Sequence, residues 1–220
     1  LVPSHCLCTL RPDVPTHAGM CLLMADIEPL KPSNTGWLIA DVAADTFAFG
    51  WARTEVDPAL LALLSDPQWQ PYVVFPREFA DDARVVHEVT HVTHKRPLFI
   101  LLDGTWDEAR KMFRKSPYLN QFPVLSLQPE QISRYRLRRS KRDDHLCTAE
   151  VAALCLQQSG DSAAATALDA WLGGCEVKLR RNGELIETGR GDAVLDGPLH
   201  ALRHFVLELQ SCPGAPVLQA

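Results

Sequence analysis

The stretch that decides the fold is LFILLDGTW, residues 98–106. Five consecutive apolar residues lead into Asp103, Gly104 and Thr105, which is typical of a short strand covered on both faces and followed by a tight loop. A helical pattern begins at Trp106 and continues to Lys115. Open α/β sheets place their sites just beyond the carboxyl ends of such strands, so Asp103 is a candidate functional residue.

The rest of the chain repeats this alternation of apolar runs and helical patterns. It predicts an α/β domain with a mostly parallel sheet and helices on both faces. The predicted strands are Met20–Met24, Thr46–Trp51, Tyr72–Phe75, Leu98–Leu102 and Pro123–Leu127. The predicted helices are Asn34–Val42, Pro58–Ser65, Trp106–Lys115, Thr148–Gln158, a segment within Ala163–Leu172, and an amphipathic run over Leu199–Leu209. Gly174–Pro198 is predicted to be an exposed hairpin or linker.

Positive charge is concentrated in one part of the chain. The protein carries 22 Lys and Arg against 27 Asp and Glu, a net charge of −5. Residues 110–142 nevertheless contain ten basic residues and one acidic residue, so this window carries +9 and the remaining chain −14. A basic segment on an acidic body suits a phosphate-bearing ligand. A solvated helix face followed by a basic loop would explain the same run.

The cysteines and the hydropathy of the chain indicate the cellular compartment of the protein. The seven cysteines are scattered and odd in number, which argues against a disulfide framework and favours a reducing, cytoplasmic setting. No apolar run reaches about 18 residues, so no membrane-spanning helix is expected. The opening residues show no secretory signal.

One motif, His87-Glu88-Val89-Thr90-His91, matches the zinc-protease pattern H-E-x-x-H. That chemistry needs a helix, whereas the segment is dense in β-branched residues. In a strand the two histidines would stand about 13 Å apart, too far for one metal. We therefore predict a polar hairpin insertion here and keep a metalloprotease as a distant alternative.

Several segments together carry a resemblance to a known family. They are Cys21–Met24, Glu28–Gly36 (EPLKPSNTG), Arg53–Glu55, Val74–Pro76, Asp103–Trp106, Ala109–Leu119 (ARKMFRKSPYL), Tyr135–Arg138 and Cys147–Val151. Their order and content, from about Cys6 to Gly160, resemble bacterial members of the DTW-domain family. The tail beyond is not diagnostic.

The resemblance implies a tRNA-uridine aminocarboxypropyltransferase. Such enzymes transfer the 3-amino-3-carboxypropyl group of S-adenosylmethionine to N3 of a uridine, in bacteria one in the tRNA variable loop, and release methylthioadenosine. It also implies a SPOUT-like fold with a C-terminal trefoil knot that holds the cofactor. We divide the chain into a remnant of an N-terminal zinc-binding element (residues 1–19), a catalytic domain (20–173) and a C-terminal extension (174–220). No obligate protein partner is evident.

The implied site residues form four groups. Those expected to be catalytic are Asp103 as the base, with Thr105 and Trp106. Those expected to bind the cofactor are Phe75, Pro76, Leu102, Asp103, Gly104, Thr105, Leu127, Tyr135, Arg136, Leu137, Cys147, Thr148, Ala149 and Glu150. Those expected to bind RNA are Lys31, Asn34, Thr35, Arg53, Arg110, Lys111, Arg114, Lys115, Arg138 and Arg139. Cys6 and Cys8 are expected to be half of a zinc site whose other two cysteines lie upstream, so we expect zinc in the full-length protein and weak or no binding in this chain.

Some roles stay open at this level. Thr105 either bonds Asp103 or the cofactor, or caps the following helix. Trp106 either stacks on a base or packs internally. A SPOUT-type RNA methyltransferase would differ in its by-product, adenosylhomocysteine, and a non-catalytic RNA-binding module would bind the cofactor without turnover.

Overall fold

A computed structural model of the protein describes residues 10–31, 34–127, 146–174, 176–181 and 184–190. Within these ranges the strands are β1 (Gly19–Met24), β2 (Thr46–Gly50), β3 (Trp69–Val74), β4 (Val85–Val86), β5 (Arg96–Asp103), β6 (Val124–Leu125), β7 (Glu176–Arg181) and β8 (Glu184–Arg190). The helices are α1 (Gly36–Val42), α2 (Pro58–Ser65), α3 (Trp106–Lys115), α4 (Thr148–Gln158) and α5 (Ser162–Gly174).

Six of these strands form one sheet in the order β2-β1-β5-β3-β6-β4, and every neighbouring pair is parallel. The two central strands, β1 and β5, are adjacent, with Met24 in register with Asp103. The predicted parallel sheet is confirmed. The carboxyl ends of its strands meet along one edge, where the loops of interest lie.

Helices cover both faces of this sheet. Alternate residues of a strand point to opposite sides. On one side the apolar side chains of β1, β3 and β5 cluster with those of α2 and α3 (Cys21, Leu23, Val73, Leu98, Ile100, Leu60, Leu64, Ala109, Met112 and Phe113). On the other side Leu22, Phe99 and Leu101 are buried, with α4 packed against β5 and α1 against α4. Each large apolar side chain fully buried in this way contributes roughly 1.5–3 kcal/mol.

Some elements differ from their sequence-based bounds. β6 spans two residues, whereas we predicted Pro123–Leu127, and β4 was not predicted. α1 begins at Gly36 rather than Asn34, because the Asn34 side chain is used inside the protein and its backbone turns before the helix. Two-residue strands give no periodicity to recognise.

The H-E-x-x-H segment is neither a helix nor a hairpin. β4 ends at Val86, pairs in parallel with β6, and is followed by irregular backbone through His94, which has a positive φ of 66°. The predicted hairpin is therefore wrong. The segment is not helical, which agrees with our prediction that it is not a metalloprotease motif. In that motif the two histidines must share one face of a helix.

The chain beyond α5 belongs to a second compact unit. There β7 and β8 pair antiparallel, with an irregularity between Leu179 and Arg180. This confirms the hairpin part of the prediction for Gly174–Pro198. The predicted helix Leu199–Leu209 lies outside the described residues, and the division at residues 19 and 173 stays a prediction.

In the part of the chain that the structure describes, every helix is too short or too polar to cross a membrane.

Candidate active site at the carboxyl edge of the sheet

A crevice is expected where β1 and β5 end. The chain leaving β1 leads to α1 on one face of the sheet, whereas the chain leaving β5 leads to α3 on the other face. Neighbouring parallel strands whose connections diverge in this way form the usual binding crevice of an open α/β sheet. The two exits stay close, because the Ala25 N–H donates to the Asp103 carbonyl at 2.9 Å.

Asp103 occupies the centre of this edge. It is the last residue of β5, and its relative exposure is 0%. Its Oδ2 accepts a hydrogen bond from Asn34 Nδ2 at 2.7 Å, and its Oδ1 accepts one from Thr148 Oγ1 at 2.6 Å. The loop after β1, the end of β5 and the start of α4 therefore converge on one carboxyl group.

The loop after β1 is organised around a second buried acid. Glu28 is fully buried, and its Oε2 accepts from Lys31 Nζ at 2.5 Å. Its Oε1 lies 3.3 Å from Asn34 Nδ2, the same nitrogen that donates to Asp103. The Asn34 carbonyl oxygen accepts from the Gly36 N–H at 2.8 Å. One buried amide thus joins two carboxyl groups and the start of α1, as buried polar groups require.

Burial makes the Asp103 carboxyl a stronger proton acceptor than an exposed one. Loss of water disfavours the charged form and raises its pKa. The hydrogen bonds from Thr148 and Asn34 and the positive charge of Lys31 act in the opposite direction, but the pKa of Asp103 remains raised.

Gly36 is required by this packing. A Cβ at this position would lie 2.9 Å from Asp103 Oδ2 and 3.0 Å from Asn34 Oδ1. Both neighbours are short side chains already held by hydrogen bonds. Only glycine fits here without moving the carboxyl group.

Thr105 is the N-cap of α3. Its Oγ1 accepts from the Glu108 N–H at 3.4 Å and donates to Glu108 Oε2 at 2.6 Å. Glu108 Oε2 in turn accepts from the Thr105 N–H at 2.7 Å, which completes a capping box. These bonds lower the pKa of Glu108. Of the two roles left open for Thr105, the structure shows the cap.

Trp106 packs in an aromatic stack beside the site. The Phe75 ring lies between Trp106 at 5.5 Å and Phe113 at 4.5 Å, with nearly parallel planes. Phe79 meets both Phe75 and Trp106 edge-on. Internal packing of Trp106 is therefore present, and the predicted contact with a base or adenine stays a prediction.

A family model described as the DTW domain matches residues 1–175. The chain belongs to the DTW-domain family. Membership of this family is consistent with a tRNA-modifying enzyme. In this DTW domain, Asp103-Gly104-Thr105-Trp106 forms the end of β5, the loop and the start of α3 described above.

The remaining residues expected to bind the cofactor are distributed along the same edge. Phe75 and Pro76 follow β3, and Leu127 comes soon after β6. Cys147 is buried immediately before α4, and Thr148, Ala149 and Glu150 form its first turn. The Ala149 N–H donates to Thr35 Oγ1 at 3.2 Å. Tyr135, Arg136 and Leu137 lie outside the described residues. Cofactor binding by these residues stays a prediction.

The residues expected to bind RNA differ in their exposure and in their partners. Asn34 and Thr35 are only 9% and 4% exposed, and their side chains bond internally, so neither offers a direct phosphate contact in this structure. Exposed basic residues are Arg53, Lys111, Arg114 and Lys115, whereas Arg110 is partly buried and pairs with Asp107. Lys31 is engaged by Glu28. Arg138 and Arg139 lie outside the described residues.

Two thiols in the core of this DTW domain, those of Cys21 and Cys155, are protonated. Burial raises the pKa of Cys21 to about 12 and raises that of Cys155 as well. Cys6 and Cys8 lie outside the described residues. Among the residues that are described, no three His, Cys, Asp or Glu side chains come close enough together to hold a metal ion.

Sequence reasoning missed two features of the site. It placed Asn34 and Thr35 on an RNA-binding surface, and it assigned Glu28 no role. The signal that could have found them is the dense run of polar residues in Glu28–Gly36, a proline-containing segment between a buried strand and a helix. If such a segment is buried, its Glu, Asn and Thr side chains must form hydrogen bonds inside the protein.

Proposed function

We propose that this DTW-domain protein is an S-adenosylmethionine-dependent tRNA-uridine aminocarboxypropyltransferase. It would transfer the 3-amino-3-carboxypropyl group to N3 of a variable-loop uridine and release methylthioadenosine. The observation that carries the proposal is the buried Asp103 carboxyl group, held by Asn34 and Thr148 at the crevice between β1 and β5.

The charges at this edge fit a cationic donor. Asp103 and Glu28 are both fully buried, and Lys31 is the cation that pairs with Glu28. Two carboxyl groups against one ammonium leave a net negative charge when both are ionised, which suits the sulfonium and amino groups of adenosylmethionine. When bound, adenosylmethionine supplies a carbon that accepts the electron pair of uridine N3 while its bond to sulfur breaks towards sulfur, so that methylthioadenosine leaves neutral.

Asp103 is proposed to take the N3 proton of the uridine. Its raised pKa favours this role, because a proton acceptor works best when its pKa approaches the working pH. A carboxylate has about four acceptor positions, and Asn34 and Thr148 occupy two of them. Since Asp103 is fully buried, the loop carrying Asn34 or the start of α4 has to give way for the uridine to reach it.

The other residues are proposed to orient the reactants. Thr105 holds the start of α3 in place through its capping box, and Trp106 with Phe75 forms an aromatic wall next to that start. Orientation supplies a large part of such a rate acceleration. The proposal keeps the SPOUT-like knot, which would hold the adenosine through the loops that include Phe75, Leu127, Leu137 and Ala149.

The exposed basic side of α3 is the proposed RNA track. Lys111, Arg114 and Lys115 are exposed, while Ala109, Met112 and Phe113 are buried against the sheet. Phosphate contacts from such residues dominate affinity for nucleic acid. The same helix begins at the proposed catalytic centre, so RNA bound along α3 would extend to the edge of the sheet where Asp103 lies.

The experiment that tests the function is nucleoside mass spectrometry of unmodified tRNA incubated with the protein and adenosylmethionine. A uridine heavier by one aminocarboxypropyl group, together with methylthioadenosine, is the expected result. A methyl-sized increase with adenosylhomocysteine would replace the proposal with a methyltransferase. Cofactor binding without any product, also in the longer zinc-loaded protein, would replace it with an RNA-binding module.

Zinc is proposed to bind a four-cysteine site to which Cys6 and Cys8 contribute two ligands. Metal analysis of a chain that includes the two further cysteines expected before Cys6 should give one zinc per chain. Replacement of Cys6 and Cys8 by serine should remove it.

A further inference from the structure

The loop that supplies Asn34 and the first turn of α1 after it carry exposed apolar side chains. Ile27, Leu30 and Trp37 are 59%, 81% and 48% exposed, and they fall within eleven consecutive residues. We call these three side chains the loop platform. The other large apolar side chains exposed in the described part of the chain, such as Leu61 on α2 and Val92 before β5, lie far from one another in the sequence. A local group of exposed apolar side chains marks an interaction site more often than scattered ones do.

Hydrogen bonds within the same segment hold the loop platform in place. The Trp37 Nε1–H donates to the Pro29 carbonyl at 3.2 Å, which ties the indole to the turn at Glu28–Leu30. The same turn is anchored by buried Glu28, which pairs with Lys31. A surface whose conformation is already fixed loses little entropy on binding a ligand.

Charge around the loop platform is mixed. Lys31, in the same loop, lies close enough to Glu108 to lower its pKa, as does Lys111 on α3, so the loop and the basic side of α3 share one region. Asp26 is exposed at the start of the loop and disfavours a phosphate there. A ligand that presents an uncharged flat face to the loop and phosphates to α3 fits both observations.

We propose that Trp37, which is bonded to the turn that carries the exposed Leu30, stacks on an unpaired nucleobase of the RNA substrate. The proposal rests on the proposed function, because it takes the ligand to be RNA. Proteins read RNA mainly through unstacked bases placed on aromatic side chains, and such stacking tolerates any base because every base has a π face. The platform would therefore favour RNA in which the nucleotides next to the target uridine are unpaired.

The test is the affinity of Trp37→Ala and Trp37→Phe for fluorescently labelled tRNA, measured by anisotropy over a series of salt concentrations. Stacking on one aromatic residue is worth about 1–3 kcal/mol per base, so Trp37→Ala should weaken binding by roughly 5- to 150-fold. The weakening should be equal at every salt concentration, since stacking releases no counterions. Trp37→Phe should retain most of the affinity, although it also loses the bond to Pro29. Leu61→Ala, on α2, is the matched control and should bind normally.

Three results would overturn the proposal that the loop platform binds a nucleobase. One is unchanged tRNA affinity in Trp37→Ala. Another is equal loss in Trp37→Ala and Trp37→Phe. The third is a wild-type dimer, seen by sedimentation, that Trp37→Ala converts to a monomer with normal RNA affinity, which would make the platform a contact between copies of the chain. If Trp37→Ala does not fold, Leu30→Ser takes its place, since Leu30 is largely exposed and its loss should also weaken binding without changing the salt slope. Failure of the wild-type protein to bind tRNA at all would refute the proposed function itself.

Discussion

The side-chain amide of Asn34 donates to the carboxyl group of Asp103 at 2.7 Å, although the two residues are 69 positions apart in the chain. Asn34 lies in the loop after β1 and Asp103 is the last residue of β5, and these two strands are neighbours in the sheet. The bond joins the Glu28–Gly36 segment to the Asp103–Trp106 segment, which both carry the family resemblance. These two segments are therefore parts of one site.

Asp103→Asn should slow transfer by orders of magnitude while leaving the fold intact. An amide of the same shape cannot take the uridine proton, and loss of a general base typically lowers rates by about 10²–10⁴. Single-turnover formation of the modified nucleoside, measured by mass spectrometry, gives the rate. Asp107→Asn is the matched control, because Asp107 is exposed on the first turn of α3, just after the loop that follows Asp103. Wild-type turnover by Asp103→Asn would remove Asp103 as the base.

Thr148→Val should shift the acidic limb of the pH–rate profile to higher pH. The Thr148 hydrogen bond lowers the pKa of Asp103, so its loss leaves that pKa higher still. A base works only when deprotonated, and activity will therefore appear at higher pH in the variant. Thr148→Ser keeps the hydroxyl and should keep the wild-type profile. Profiles of kcat/KM that coincide for all three proteins would show that this bond does not tune the reacting group.

Gly36→Ala should destabilise the protein, in contrast to Gly50→Ala. A Cβ at Gly36 meets Asp103 and Asn34 at 2.9 and 3.0 Å, whereas nothing lies within 4 Å of one at Gly50. Overpacking of this kind costs about 1–3 kcal/mol, which outweighs the roughly 0.5–1 kcal/mol that alanine gains over glycine in a helix. Urea denaturation measures both free energies of unfolding. Equal stability of Gly36→Ala and wild type would mean that the carboxyl group and the amide can separate freely.

Thr105→Val should lose the cap of α3. Removal of an N-cap side chain costs about 0.5–2 kcal/mol. Thr105→Ser retains the hydroxyl and the bonds to Glu108, so its thermal midpoint should stay near wild type. If valine and serine gave the same midpoint, the capping box would contribute nothing to stability.

Neutralising Arg114 and Lys115 together should weaken tRNA binding and flatten its salt dependence. Both side chains are exposed on the last turn of α3. Each lost phosphate contact should lower the slope of log K against log salt by about 1. Lys95→Ala is the control, because Lys95 is exposed at the amino end of β5, the opposite edge of the sheet from Asp103. An unchanged slope in the double variant would place the RNA track on another surface.

Local pattern was enough for the regular elements and for one functional candidate. The strand that ends in LFILLD and the amphipathic α3 follow from apolar runs of fixed period. Such periodic runs depend only on residues that are near one another in the sequence. The position of Asp103 at the end of a buried strand follows from the same run. Where the run was too short, as in β4 and β6, pattern reasoning lost the element or its bounds.

Tertiary structure alone decided which side chains meet. Thr105 could equally have bonded Asp103, and Asn34 could equally have faced solvent, because spacing along the chain does not say which loops converge. The strand order β2-β1-β5-β3-β6-β4 brings the exits of β1 and β5 and the start of α4 together. Burial then forces each polar group to find a partner there, and it is this burial that raises the pKa of Asp103. The sequence determined the elements and the acid, and the long-range packing of those elements determined its surroundings.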